Sequence, residues 1–162
     1  MKSSEFRKLN NPLAGCEIII GIDPGKNTGF ALYQLGSMPM VNLETYTFWS
    51  CLDRITDCAS AFAGRVEKIG IVIEIPRMLM YGRNRGAAEK AGVANTMSSK
   101  MGGNRREGEL MAERLESLGF PVVRKTPSQT KWNAAECKRI TGIDLKTNEH
   151  TRDAIRLAWE HI

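Results

Sequence analysis

The chain has 162 residues and a mass of 18.0 kDa, which suits a single domain that buries roughly 70% of its unfolded surface. Hydrophobic residues make up 42% and charged residues 25%, which excludes disorder over the whole length, and no apolar run approaches the roughly 20 residues of a membrane span. The 23 basic residues outnumber the 18 acidic ones, and the net charge of +5 favours a polyanionic partner.

The apolar pattern predicts a hairpin, a further strand and then a mixture of helices and strands. Residues 1–15 are polar, lack the apolar core of a secretory signal and are interpreted as a flexible tail before a single domain at 16–162.

In chain order, the predicted elements are strands at 17–23, 30–35 and 41–49, a helix at 53–66, a strand at 69–75, a helix at 107–118, a strand at 121–124, and helices at 128–140 and 149–161. This order predicts an α/β fold, a mixed sheet with helices on both faces, as in proteins of the ribonuclease H type.

The cysteines give no sign of a metal site or of disulfides. Four are present, at Cys16, Cys51, Cys58 and Cys137, and none forms a CxxC pair. The closest two, Cys51 and Cys58, lie seven residues apart. Reduced thiols in a cytoplasmic protein are the simplest interpretation.

Positive charge is concentrated between residues 77 and 106. This segment holds seven basic residues, one acid and five glycines, so its net charge of +6 exceeds that of the whole chain. The combination predicts a mobile loop that becomes ordered on phosphates, although a solvated surface would explain the charge alone equally well. The candidate nucleic-acid-binding residues are Arg77, Tyr81, Arg83, Arg85, Lys100, Arg105 and Arg106.

Two predicted strands each carry one acid among apolar residues, Asp23 and Glu74. An ionised carboxylate in such surroundings is costly unless it is paired or bound to a metal ion. Asp23 could be a turn residue before Pro24, and Glu74 could form a structural ion pair with an arginine. Because both acids come at the ends of neighbouring central strands, a cation site is favoured over two separate structural roles.

The predicted C-terminal helix supplies a third acid, Asp153, and His150 three residues before it. Such a pair projects from one side of a helix, and alone it is more often a cap or a surface pair than a site. Together with Asp23 and Glu74 it forms an oxygen-rich cluster suited to Mg²⁺, with Mn²⁺ as a substitute. Such a cluster can hold two ions about 3.5–4 Å apart, the arrangement that activates water in phosphodiester cleavage.

These residues stand in an order that resembles the RuvC-like Holliday junction resolvases. The resemblance covers roughly residues 17–162 and is carried by Gly21-Ile22-Asp23-Pro24-Gly25 with Thr28-Gly29, by Ile73-Glu74 and by His150-x-x-Asp153-Ala154. It implies a metal-dependent endonuclease that resolves four-way DNA junctions, and other branched DNA, by paired cuts. It further implies that Asp23, Glu74 and Asp153 are metal ligands, that His150 is a ligand or a proton-transfer group, and that Lys131 lies near the scissile phosphate.

The sequence also departs from the family pattern. The basic segment 77–106 is longer than in the bacterial enzyme, the stretch between Lys131 and His150 is shorter, and the first aromatic residue after Glu74 is Tyr81. These differences are more like the phage-encoded branch of the family.

The family's paired cuts imply a homodimer. The helix at 107–118 is the candidate interface, through an apolar stripe that could equally pack on the sheet and consists of Leu110, Met111, Leu115 and Leu118.

Two other classes of protein are weighed against a resolvase. A sugar-kinase or actin-like ATPase also places an Asp-x-Gly sequence after a strand, but it needs two such domains, and 162 residues supply one. The second class is a non-catalytic protein that binds branched DNA or RNA, or a relative that processes RNA. Basic segments such as 77–106 would be explained equally well by that class. The presence of all three acids favours catalysis over that second class.

Overall fold

The computed structural model describes the backbone of residues 11–36, 40–76 and 88–162, and the side chains of 11–36, 41–76 and 102–162. Its strands are β1 (Ile18–Asp23), β2 (Thr28–Gln34), β3 (Met40–Tyr46), β4 (Ile69–Glu74) and β5 (Val122–Lys125). Its helices are α1 (Phe48–Ala61), α2 (Ala88–Ser117), α3 (Ala134–Thr141) and α4 (Glu149–Trp159).

The five strands form one mixed sheet in the order β3-β2-β1-β4-β5. Strand β1 pairs antiparallel with β2 and parallel with β4, while β2 pairs antiparallel with β3 and β4 pairs parallel with β5. Alternate residues of β1 face opposite sides, so Ile20 lies in the core beneath α1 and α2 and Ile19 lies in the core beneath α3 and α4. Helices therefore cover both faces of a mixed sheet, and the predicted α/β fold is confirmed.

The boundary between β3 and α1 differs from the prediction of a strand at 41–49 and a helix at 53–66. Strand β3 ends at Tyr46, and the Thr47 side chain accepts a hydrogen bond from the backbone N–H of Ser50. The backbone N–H groups of the first helical turn have no partner within the helix, and the Thr47 side chain satisfies one of them. The helix therefore begins at Phe48 and not at residue 53. Trp49, predicted to lie in the strand, is an exposed residue of the first helical turn.

The basic segment differs most from its prediction. Residues 88–106, expected to be part of a mobile loop, belong to the long helix α2, while residues 77–87 lie outside the described residues. A glycine inside a helix costs only about 1 kcal/mol relative to alanine, so Gly102 and Gly103 do not suffice to end it. The loop interpretation is therefore wrong for residues 88–106.

The last two helices begin at capping boxes. Asn133 caps α3 reciprocally with Glu136, which places its start six residues after the predicted residue 128. Gly142 ends the helix in the left-handed conformation with φ of 72°, as a C-terminal glycine permits. Helix α4 begins at residue 149 as predicted, capped by Asn148.

The start of the described chain packs on the domain. Residues 1–10 of the predicted tail lie outside the described residues. Leu13, in the remainder of that tail, is buried and belongs to the core beneath α4. The packed region thus includes residues before the predicted boundary at 16.

The apolar stripe of α2 faces the sheet. Met111 and Leu115 are fully buried in the core, Leu118 packs against it, and only Leu110 is exposed. Met111 and Leu115 therefore pack on the sheet, as the sequence also allowed, and the use of this helix as a dimer interface stays a prediction. Within the described residues, no helix has the length and apolarity needed to cross a membrane.

Helix α4 lies directly on the backbone of strands β1 and β2. A Cβ atom on Gly21 would come within 2.0 Å of the Ala154 carbonyl oxygen, and one on Gly29 within 2.1 Å of the His150 carbonyl oxygen. Only glycine permits this approach. The helix therefore brings its polar face to the ends of β1 and β4.

Gly21→Ala is expected to lower the free energy of unfolding by about 2 kcal/mol or more, because the new methyl group must push α4 away from β1. Urea denaturation measures the change. The matched control is Gly102→Ala in α2, where a Cβ meets nothing within 4 Å and alanine should stabilise the helix by about 1 kcal/mol. Equal stability of Gly21→Ala and the wild type would contradict the close approach of α4.

Candidate active site

Asp23 and Glu74 are the last residues of two adjacent parallel strands, β1 and β4. The register pairs Ile22 with Ile73, so the two acids follow side by side at the same edge of the sheet. Both side chains are largely buried. The expectation that two strand-end acids lie together is met by this pairing.

Helix α4 presents three polar residues at three-residue spacing along one face: His150, Asp153 and Arg156. The Nδ1 atom of His150 lies 3.1 Å from Oδ2 of Asp23. Arg156 donates from Nη2 to Oε2 of Glu74 over 3.0 Å. One helix face therefore contacts both strand acids and adds the third acid, Asp153, to them.

Lys131 completes the cluster from the segment before α3. Its Nζ donates to Oδ2 of Asp153. Each of the three acids thus contacts one basic residue: Asp23 contacts His150, Glu74 contacts Arg156, and Asp153 contacts Lys131. The structure brings together all five residues that the sequence singled out as catalytic.

Arg156 is the member of the cluster that sequence reasoning missed. Its spacing of three residues from Asp153 was the available signal, because it continues the series begun by His150. An arginine on a helix ordinarily lies at the surface, so the spacing alone did not distinguish it from a solvated residue.

Burial raises the pKa of both strand acids above the ordinary values. For Asp23, the hydrogen bond with His150 lowers the pKa in part, and the charge of Asp153 raises it further. For Glu74, the charge of Asp23 adds to the effect of burial, while Lys131 and Arg156 oppose it. The three acids therefore lie within each other's electrostatic field, and their negative charges repel.

The field of the acids also acts on Lys131. Partial burial lowers its pKa, but the hydrogen bond and charge of Asp153, with the charges of Glu74 and Asp23, raise it by more. Lys131 is therefore fully protonated at neutral pH, as a cation that compensates the acids.

The donor set fits a divalent cation in its chemistry. Carboxylate oxygens are the ligands that Mg²⁺ and Mn²⁺ prefer, and repulsion among three close carboxylates is relieved by a cation. In the described part of the chain, no three His, Cys, Asp or Glu side chains converge as they would around an ion. Instead each acid contacts its basic partner, and the side chains of Lys131 and His150 are half-exposed to solvent.

The nucleic-acid-binding residues suggested by the sequence are only partly described. Arg77, Tyr81, Arg83 and Arg85 lie outside the described residues, and Lys100 lies in α2 where side chains are not described. Arg106 is exposed. Arg105 lines a cleft of about 380 Å³ beside the end of β4, together with Arg124 and Lys125. These last two residues belong to a second basic cluster of the sequence, which was not among the candidate binding residues.

The structure superposes on T. thermophilus RuvC in complex with a Holliday junction substrate, with a TM-score of 0.54 and 17% identity over 89% of this chain and 91% of that one. A Thermus thermophilus RuvC structure gives a TM-score of 0.46 and 20% identity over 89% and 92%. The yeast mitochondrial Holliday junction resolvase Ydc2 gives 0.31 and 12% over 88% and 66%. No protein-family model and no curated protein matches the chain. The first superposition shows that the chain has the RuvC fold, of the ribonuclease H-like type, so the resemblance seen in the sequence is confirmed for the fold.

Asp23→Asn is expected to be more stable than the wild type at pH 8 in the absence of metal. Because the folded-state pKa of Asp23 is raised, ionisation opposes folding above that pKa, and the penalty disappears as the pH falls towards the unfolded value of about 4. Denaturation of both proteins in chelator between pH 8 and pH 4 should therefore show the gap shrinking. A gap that widens towards low pH would mean that the fold stabilises the carboxylate, contrary to this account.

Proposed function

We propose that this chain is a metal-dependent, structure-selective endonuclease that resolves four-way DNA junctions by phosphodiester hydrolysis. The observation that carries the proposal is the meeting of Asp23, Glu74 and Asp153, from β1, β4 and α4, at one edge of the sheet. The RuvC whose fold it shares is described with a Holliday junction substrate, which supports branched DNA as the substrate of this chain.

Asp23, Glu74 and Asp153 would hold the cation, and two Mg²⁺ or Mn²⁺ ions per site fit three carboxylates. When bound, such ions supply an activated water and stabilise the leaving oxygen. The carboxylates contribute fixed negative charge from three separate elements, so their spacing depends on the fold and not on one flexible loop.

Lys131 would bind the phosphate to be cut. Its ammonium group lies on a flexible stem, and 52% of its side chain is exposed. Turning from Asp153 to a phosphate exchanges one negative partner for another while it releases Asp153 towards the cation. Substrate binding and completion of the acid cluster are thereby coupled through one side chain.

His150 would hold or move a proton beside Asp23. Its Nδ1 lies at the carboxylate and 44% of its side chain is exposed, so the ring has access to water. An imidazole has one ring nitrogen that can donate a proton and one that can accept one, which suits proton transfer to or from a reacting group.

The DNA backbone would follow the basic surface next to this edge. Arg105, Arg124 and Lys125 line the cleft beside β4. Arg124 is paired there with Glu109 and Glu116, and Lys125 with Glu160, so a phosphate would have to compete with these carboxylates. Contacts from Arg77, Tyr81, Arg83, Arg85, Lys100 and Arg106 stay predictions, as do the kinship with phage enzymes and a cytoplasmic location. The alternative function of binding without cutting is distinguished by the cleavage assay below, and RNA processing would need the same assay with structured RNA.

Asp23→Asn should abolish nicking of a four-way junction in Mg²⁺ while junction binding stays within about twofold of the wild type, because asparagine keeps the shape of the ligand but loses its charge. Gel analysis of labelled junctions measures both. Asp57→Asn, on the exposed side of α1, is the control and should cut normally. Wild-type nicking by Asp23→Asn would contradict its role, and a wild-type chain that binds junctions without cutting them would favour a non-catalytic function.

Paired cuts need two sites related by twofold symmetry, so the active form should be a homodimer. Since Met111 and Leu115 are used in the core, the interface would consist of other residues, of α2 or of another surface. Sedimentation at micromolar concentration, with and without a four-way junction, should detect twice the mass of 18.0 kDa. A monomer under both conditions would contradict the paired-cut mechanism.

A further inference from the structure

Arg156 is buried in α4 with only 6% of its side chain exposed, which is rare for arginine. A buried guanidinium is costly unless a negative partner compensates it. Its nearer partner is Glu74, at 3.0 Å, and its Nη1 atom makes a longer contact of 3.4 Å with Glu160. Nε has no hydrogen-bond partner among the described residues. The side chain is therefore held chiefly by a residue of the acid cluster.

The two carboxylate oxygens of Glu74 differ in their hydrogen bonding. Oε2 accepts the hydrogen bond from Arg156, while Oε1 accepts none from the described residues. A planar guanidinium holds a carboxylate oxygen in a defined direction. The hydrogen bond from Arg156 therefore orients Glu74 so that Oε2 is occupied and Oε1 can still accept a further contact.

The three basic partners differ in their freedom to move. His150 and Lys131 are half-exposed and can turn to solvent or substrate, but Arg156 is enclosed. Its departure would leave Glu74 unpaired in a buried position, at a high cost in free energy. The pair Arg156–Glu74 is thus the fixed member of the cluster, whichever way the other two bases turn.

We propose that Arg156 is a positioning residue, which fixes the orientation of the Glu74 carboxylate and reduces the negative charge of the cluster. This inference rests on the proposed nuclease function. A permanent positive charge beside the cluster weakens the attraction for a cation, and the fixed carboxylate improves the geometry of the bound state. Metal affinity and turnover should therefore respond to Arg156 in opposite directions.

The test compares Arg156→Met with the wild type in two measurements. Calorimetry without DNA should show Mn²⁺ binding that is tighter by about threefold or more, because a buried positive charge has been removed. Nicking of a four-way junction at saturating Mn²⁺ should be slower by about tenfold, because Glu74 has lost its fixed orientation. A merely structural arginine would not give tighter binding together with slower cutting, since partial unfolding weakens both.

Two further variants keep the test decisive. Arg156→Lys retains the charge and loses the guanidinium, so its Mn²⁺ affinity should stay within about twofold while its cutting slows. Arg152→Met is the matched control on the same helix, because Arg152 donates to the carbonyl oxygens of Trp132 and Thr147 and not to the acid cluster. It should change neither measurement by more than about twofold.

Unchanged affinity and rate in Arg156→Met, or a parallel loss of both, would overturn the positioning role. If that variant does not fold, wild-type cutting by Arg156→Lys would overturn it instead. A wild-type chain that neither binds Mn²⁺ nor cuts junctions would overturn the nuclease function along with this inference. A wild-type chain that does both and is matched by Arg156→Met would overturn the positioning role alone.

Discussion

The backbone contact of α4 with strands β1 and β2 determines the geometry of the acid cluster. Gly21 and Gly29 leave no side chain between the helix and the sheet, so the carbonyl groups of Ala154 and His150 lie directly on β1 and β2. Any larger residue would move the helix outwards, and Asp153, the acid that α4 contributes to the cluster, would move with it. The position of Asp153 relative to the strand ends is thus a consequence of packing, and not of local helix structure.

Charge compensation follows from that packing. Three buried or partly buried carboxylates at one edge would repel strongly, and each instead contacts one base. Arg156 is enclosed, whereas Lys131 and His150 reach solvent and can exchange their acids for other partners. The bases therefore oppose the repulsion among the carboxylates in the metal-free protein, and under the proposed function Lys131 and His150 would turn away from Asp153 and Asp23 when a cation binds.

Much of this cluster could be predicted from the sequence, because acids in strands of isoleucine and valine are conspicuous and β1 and β4 are short and apolar. Arg156 could not be, since a helical arginine reveals nothing about its burial until the tertiary contact is known. The extent of α2 was missed because its glycines resemble those of a loop, and tertiary context can override this propensity. The stripe of Met111 and Leu115 was ambiguous for a similar reason, because periodicity indicates an apolar face but not its partner.

Under the proposed function, Asp23, Glu74 and Asp153 form one cation site that is closed by their basic partners when metal is absent. A crystal structure of the protein with Mn²⁺, examined by anomalous scattering, tests it most directly. The account predicts a Mn²⁺ peak about 2 Å from carboxylate oxygens of all three acids, with Lys131 released from Asp153 and Arg156 still on Glu74. Peaks only elsewhere on the surface, or all three acids still in contact with their basic partners at saturating Mn²⁺, would contradict it.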